Sequence, residues 1–386
     1  MALFTLIDHI IFAIMSIFIG YNCIFITAAF LRKKKRENKP QDIQKFAVIF
    51  PAYKEDNVIC HSVEIFLKQD YPKEKYDVIV VSDNMKEGTN DKLASFPIKL
   101  FLPKFKESMK YKSIQYALNN LNGYDRVIIM DADNLVEINF LSQVNIQTQN
   151  GVVLQAHRTY KNVNTKVAVW DGISEAINNT IYRRGHVALG LSAALIGSGM
   201  VFDFNWLKEN IRHCSTFAED KELEILLAQN NIPVDYADDI YVYDEKTTRE
   251  DVLIRQRSRW LHAQFMAFSL IIKHFSFKNI SWNYIDKIFQ WLPLPKAIRF
   301  TIITLFTVIN SLFFFPLAIK WYILIGIKFW SYFIAIPQEM LNKNLFANLP
   351  NIFWIMLQSF VSSLKRLKNK ITQFDNTPHE IIKKDE

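Results

Sequence analysis

Arg126-Val127-Ile128-Ile129-Met130-Asp131-Ala132-Asp133 is the stretch on which the reading of this chain turns. A short apolar run, mostly β-branched, stops at two carboxylates. A continuous apolar run of this length is the pattern of a strand buried on both faces. Phe46-Ala47-Val48-Ile49-Phe50 ends the same way at Pro51, and Asp77-Val78-Ile79-Val80-Val81 ends at Ser82-Asp83-Asn84. Gly151-Val152-Val153-Leu154-Gln155 is a fourth run. Helical patterns, such as Val58 to Lys68 and Ser113 to Asn120, lie between them. Fully apolar strands alternating with helices predict an α/β domain: a mostly parallel central sheet with helices on both faces. Ligands in such sheets bind at the carboxyl ends of the strands. Three of the four runs end there in polar or acidic residues.

The chemistry follows from those ends. Asp131 and Asp133, two apart at a strand end, project to one side. Carboxylates so close repel each other unless a cation lies between them. Magnesium and manganese favour a few carboxylate oxygens plus substrate phosphates. A metal bridging to a diphosphate is one reading, and a solvated acidic turn is the other. Glu219-Asp220 opens the helical pattern Leu223 to Gln229. It fits a helix cap or a general base for a hydroxyl. In Gln256-Arg257-Ser258-Arg259-Trp260, the indole suits a sugar face and the guanidinium groups suit phosphate. A helix lying on a membrane would use the same residues.

Composition places these motifs in a wider frame. Half of the 386 residues are apolar, and they concentrate at the two ends. Leu3 to Leu31 is long enough to cross a bilayer, which takes about 20 apolar residues. Its charges, Arg32-Lys33-Lys34-Lys35-Arg36, follow the apolar core, so an uncleaved anchor with a cytoplasmic domain behind it is expected. Phe300 to Ile319 is a second candidate span, interrupted by Asn310 and Pro316; Trp321 to Ile336 is a weaker third. Ser281 to Arg299 and Leu349 to Val361 have interfacial composition, the latter beside Lys365, Arg366, Lys368 and Lys370. The net charge of +8 sits largely at these exits, which argues against nucleic acid and for membrane lipid. Cys23, Cys60 and Cys214 have no metal or disulfide spacing. The expected division is an anchor over 1–38, a cytoplasmic catalytic domain over 39–275 and an interfacial segment over 276–299. One or two spans follow over 300–340, then an amphipathic helix and polar tail over 341–386.

Taken in order, Pro51-Ala52-Tyr53-Lys54-Glu55, Asp83, Asp131-Ala132-Asp133, Glu219-Asp220 and Gln256-x-x-Arg259-Trp260 resemble the family 2 glycosyltransferases of GT-A fold. The likeness is strongest to the membrane-bound synthases of cellulose, hyaluronan and poly-N-acetylglucosamine. It covers Phe50 to Trp260, and Gln256, Arg259 and Trp260 complete the QxxRW signature. The resemblance implies a GT-A nucleotide-diphospho-sugar transferase domain flanked by transmembrane and interfacial helices. It implies that Pro51, Tyr53 and Glu55 touch the donor nucleotide, with Lys54 where Asn is usual. Asp83 would hold the uridine base. Lys112, or its competitor Lys110, would approach the diphosphate. Asp131 and Asp133 would hold Mg2+ or Mn2+. Gly197, Ser198 and Gly199 would face the acceptor, Asp220 beside Glu219 would act as base, and Gln256, Arg259 and Trp260 would close over acceptor and diphosphate. His157, His186 and His213 match no family role and read as structural.

The implied reaction is an inverting transfer from a nucleotide-diphosphate sugar, UDP-linked by family habit, to a glycan or lipid-linked acceptor. It would serve cell-surface polysaccharide or glycoconjugate synthesis, with partner subunits of an export system, in the inner or plasma membrane. Two alternatives stand beside it: a non-processive transferase on a lipid-linked acceptor, which the small number of spans favours, and an inactive membrane scaffold. A dinucleotide oxidoreductase lacks its GxGxxG after the first strand.

Overall fold

The computed structural model describes residues 2–32, 42–149, 151, 153–275, 280–292, 296–340 and most of 354–365. The elements run α1 (Ala2–Leu31), β1 (Phe46–Tyr53), α2 (Ile59–Phe66), β2 (Tyr76–Asp83), α3 (Glu87–Ala94), β3 (Lys99–Phe101) and α4 (Lys110–Asn119). Next come β4 (Arg126–Ile129), β5 (Leu135–Val136), α5 (Phe140–Thr148), β6 (Val153–Tyr160) and α6 (Lys166–Asn179). A π turn (Thr180–Gly185) leads into the short α7 (His186–Ala188), then β7 (Met200–Asp203), α8 (Phe204–Asn210), α9 (Glu219–Gln229) and β8 (Val234–Asp244). The chain ends its described elements with α10 (Glu250–Lys273), α11 (Trp282–Trp291), α12 (Lys296–Phe313) and α13 (Phe315–Ala335).

The strands form one eight-stranded sheet in the order β3-β2-β1-β4-β7-β6-β8-β5. The apolar runs pair in parallel, β1 between β2 and β4. The sheet is nevertheless mixed, because β7 runs antiparallel to β4 and β6, and β5 antiparallel to β8. Met200–Asp203 follows the glycine loop directly and is too short to announce itself as a strand. Alternation in β1 sorts the core. Phe46, Val48 and Phe50 pack with Ile59, Val63 and Phe66 of α2 and Phe140 of α5. Ala47 and Ile49 face Ile114, Ala117 and Leu118 of α4 and Leu223 of α9. Each large side chain so buried contributes roughly 1.5–3 kcal/mol, and with both faces covered the strand register is fixed.

Side-chain caps set several helix starts. Thr165 accepts from Ala168 N at 3.2 Å, Asp203 from Trp206 N at 2.9 Å and Ser281 from Tyr284 N at 3.1 Å. These satisfy donors that a helix start leaves unpaired.

α1 lies against the domain and against α12 and α13. Its Phe25 and Ile26 pack on Ile173, Ile177 and Ile181, and its Met15, Phe18 and Ile19 on Ile303 and Trp321. Phe25 stacks on His186 at 3.7 Å between centroids, and His186 bonds Tyr21 at 2.8 Å. Buried Asp8 ties the bundle together: Asn310 Nδ2 and Trp321 Nε1 each donate to it at 2.8 Å, and Lys320 pairs with it. The outward faces carry exposed Leu3, Ile10, Ile17 and Ile24 on α1 and Ile319, Ile323, Phe329 and Trp330 on α13.

The spans differ from the sequence expectation. Phe300 to Ile319 is not one helix: the chain breaks at Phe314, and Pro316 opens α13. Proline lacks an N–H and suits a helix start, where none is needed. The weaker candidate, Trp321 to Ile336, is therefore most of α13. Among the described residues, α1 and α13 are the helices long and apolar enough to cross a membrane, and α12 contributes the shorter apolar stretch Ile298–Phe313. Residues 33–36, 276–279, 349–353 and 366–370 of the basic and interfacial segments lie outside the described residues.

Candidate active site

The carboxyl ends of β1, β2 and β4 open onto one cavity of about 540 Å³. Two left-handed residues shape its rim, Lys54 at φ 56° after β1 and Asn84 at φ 55° after β2. Lys54 N donates to Asp83 O at 3.2 Å, locking the turns together. Asn tolerates this backbone region better than Lys, which accounts physically for the family's usual residue there. Pro51, Tyr53, Glu55 and Asp83 line the cavity. Burial pushes the Asp83 carboxyl above its usual range, against the pull of Ser108 and Asn84.

Asp131 and Asp133 stand at the end of β4 and both line the cavity. Lys110 pairs with Asp131, donates to Gly197 O at 2.7 Å and lies 3.6 Å from Glu219 Oε1. Burial opposes its charge, but Asp131 and Glu219 outweigh that and hold the ammonium above its ordinary value. Lys112, the lysine preferred from the sequence, is turned elsewhere: its Nζ donates to Glu107 O at 3.1 Å, and it does not line the cavity. Residues two apart on a helix point to nearly opposite sides, so one of the pair had to face away.

Asp133 is almost fully buried and accepts from Glu245 N at 3.0 Å and Asn134 Nδ2 at 3.2 Å. The three residues of the glycine loop have separate surroundings. Gly197, at φ +83°, lines the cavity. Ser198 is buried, accepting from Asp131 N at 3.0 Å and donating to Asn134. Gly199 faces the sheet, where a Cβ would come within 2.9 Å of Val242 Cγ2. Gly197 thus borders the open space, Ser198 holds the Asp131 backbone, and Gly199 packs against the sheet.

Glu219 and Asp220 begin α9 and face the cavity. Asp220 Oδ1 accepts from Lys221 N at 2.9 Å. Burial raises the Glu219 carboxyl to about 7, countered by Lys110 and reinforced by Asp220. From α10, Gln256, Arg259 and Trp260 line the opposite wall. Arg257 beside them donates to Asp171 Oδ1 at 2.8 Å and to Ser174 Oγ at 3.2 Å.

A buried charge network adjoins the aspartates and was not legible from sequence. Arg158 donates to Glu175 at 2.6 Å, and Lys246 pairs with Glu175 and donates to Asp244 at 2.7 Å. Its members come from β6, α6 and the end of β8, and no local motif links them.

The donor set suits a hard divalent cation. Asp131 and Asp133 offer carboxylate oxygens, and the Lys110 ammonium against Asp131 is a cation already drawn to that spot. Among the described residues, no three His, Cys, Asp or Glu side chains converge into a closed cage. Magnesium and manganese bound by one or two carboxylates and substrate phosphates need none.

A mixed α/β sheet with these carboxylates at its strand ends defines the GT-A class of nucleotide-sugar transferases. The chain belongs to the family described as "Glycosyltransferase like family 2", whose model matches residues 41–263. The chain is 24% identical over 261 residues to "Probable glycosyltransferase YdaM" of Bacillus subtilis (strain 168), covering 64% of this chain and 61% of that one. It thus spans about three fifths of that relative's length. In fold it is similar to the mannosyltransferase PcManGT from Pyrobaculum calidifontis, in complex with GDP-Man and Mn2+. The TM-score is 0.61, with 15% identity over 92% of this chain and 98% of that one. S. aureus TarS 1-349 in complex with UDP-GlcNAc also matches, with a TM-score of 0.45 and 15% identity over 86% of this chain and 93% of that one.

Proposed function

We propose that the chain transfers a sugar, with inversion, from a nucleoside-diphosphate donor to an acceptor held in the same cavity. The observation that carries this is the gathering of Asp83, Lys110, Asp131, Asp133 and Asp220 on one cavity from the ends of β2 and β4 and the starts of α4 and α9. Asp83 and the Pro51–Glu55 turn hold the nucleotide, taken as uridine from the placement of Asp83. Asp131 and Asp133 would hold magnesium or manganese, which neutralises diphosphate charge. Lys110 moves from Asp131 onto the diphosphate and, with Arg259, stabilises it as it leaves. Asp220 accepts the proton of the acceptor hydroxyl while its oxygen bonds to the anomeric carbon and the bond to the diphosphate oxygen breaks. Trp260 offers an indole face for the acceptor sugar.

A second observation narrows the acceptor. The cavity runs past the glycine loop to Phe18 and Tyr21 of α1 and to Arg299 of α12. A cavity open to apolar helices favours single transfer to a lipid-linked acceptor over extrusion of a long polymer. The exposed apolar faces of α1 and α13 support placing these helices in a membrane, with the sheet on its cytoplasmic side.

The test is donor turnover by the purified full chain across a panel of nucleotide sugars, with and without chelator. Wild type releases nucleoside diphosphate in a metal-dependent way. Asp131→Ala loses metal-dependent donor binding, and Asp220→Asn lowers the transfer rate about 10²–10⁴-fold with donor affinity retained. Near-normal transfer by Asp220→Asn would remove the base assignment, and turnover indifferent to chelator would remove the metal.

A further inference from the structure

Charge is sorted along the cavity. Its carboxylates lie at the strand ends, on α6 and at the start of α9, whereas the end formed by α1, α11 and α12 presents Lys296 and Arg299 among Phe18, Tyr21, Phe289 and Trp291. Lys328 of α13 stands just behind: Lys296 and Lys328 lie 5.9 Å and 5.8 Å from the centroid of one ring, Tyr332. Arg299 and Lys328 are more than nine-tenths buried. Among the described residues, no carboxylate pairs with any of the three. Lys296 donates to the neutral amide of Asn178, and Arg299 Nε has no hydrogen-bond partner among the described residues.

The nearby rings do not compensate this charge. Arg299 lies 5.0 Å from the Phe18 centroid and Lys328 5.3 Å from that of Phe300. The attraction of a cation to a ring is modest. Removing a charged group from water costs more than that, even after relaxation. Elsewhere in the same cavity wall Arg158 has Glu175 and Arg257 has Asp171, whereas buried Arg183 is held by the Ala194 carbonyl and the Asn179 amide. Among the described residues, the α12 end therefore lacks an anion to match its cations. An anion that reached this position would be flanked by Phe18 and Tyr21 of α1.

We infer that Lys296, Arg299 and Lys328 form a subsite for a phosphoryl group carried by the acceptor. The inference rests on the reading of this cavity as a glycosyl-transfer site. The subsite would hold the acceptor's anionic head at the apolar end and so present its reacting oxygen toward Asp220. Arg forks and Lys point charges are the side chains that bind phosphoryl oxygens.

The full chain in dodecyl maltoside micelles is titrated with farnesyl phosphate, uncharged farnesol and inorganic phosphate, read by thermal shift and tryptophan fluorescence. Farnesyl phosphate should bind saturably, at least ten-fold more tightly than farnesol. Arg299→Gln and Lys328→Gln should each weaken that binding ten-fold or more, and Lys328→Arg should restore it. Circular dichroism establishes that the variants are folded. Inorganic phosphate binding as tightly as the ester, and lost in the same variants, also supports the phosphoryl subsite and names soluble phosphate as its source. Equal binding of farnesol and farnesyl phosphate, or full binding by both Gln variants, overturns the inference. Donor turnover is followed in parallel: its absence in wild type would overturn the transfer reading and leave the binding result standing.

Discussion

Lys110 is held by three groups at once: Asp131, the Gly197 carbonyl and Glu219. An ammonium so placed relieves repulsion among the carboxylates, and it is near enough to meet the diphosphate of the proposed donor. Lys110→Gln should lower kcat/KM about 10²-fold, the scale of one lost donor to developing negative charge. Lys112→Gln should leave it within about two-fold, since only a surface contact changes. Equal losses in the two variants would mean that the helix presents the other face. Glu219 carries a pH prediction. Its folded carboxyl lies near 7 and its ordinary value is 4.5, so the folded state binds the extra proton. The stability this contributes is complete below about pH 4.5 and is lost as pH rises through 7. In chelated buffer, wild-type Tm should fall across that window, and Glu219→Gln should remove this part of the slope. A Gln variant with an unchanged slope would place the titration elsewhere.

At the scale of elements, the contact between α1 and the π turn is set by one missing side chain. A Cβ on Gly185 would meet Phe25 O at 2.2 Å, whereas one on Gly20, also facing α1's surroundings, meets nothing within 4 Å. Gly185→Ala should therefore cost about 1–3 kcal/mol or more through forced displacement of α1. Gly20→Ala should be neutral or slightly stabilising, by up to about 1 kcal/mol. Thermal unfolding of the two variants checks both. The same scale shows what the sequence could reveal. Buried parallel strands are legible because each is apolar throughout, and acids at their ends stand out against that background. β7 and β8 are not: one is four residues long, and the other alternates acids and tyrosines. The motif residues are legible as types, but not their facing. Lys110 and Lys112 are equivalent until the phase of α4 is known, and Gly197 and Gly199 until the sheet behind them is seen. The Arg158–Glu175–Lys246 network depends on long-range packing and leaves no trace in local spacing.

For the whole molecule, the cavity is walled by the sheet, by α9 and α10, and by α1 with α12. The helices at the chain's apolar ends therefore complete the site. Their outward faces are mostly apolar, and Asp8 turns inward toward Asn310, Trp321 and Lys320. That inversion, polar inside and apolar outside, suits a lipid surround. The full chain should remain with the membrane pellet through an alkaline carbonate wash; release into the supernatant would count against embedding.

The bend at Phe314 has its own bearing on sidedness. Phe4 of α1 stacks on Phe314 at 4.7 Å, so the Ala2 end of α1 and the turn between α12 and α13 form one pole. Thr180 reaches Ala335 O at 3.5 Å, so α13 returns to the catalytic pole. A 30-residue helix spans about 45 Å between them. With the bundle in a bilayer, an impermeant label that finds the bend and the nucleotide proposed to meet Asp83 would approach from opposite water phases.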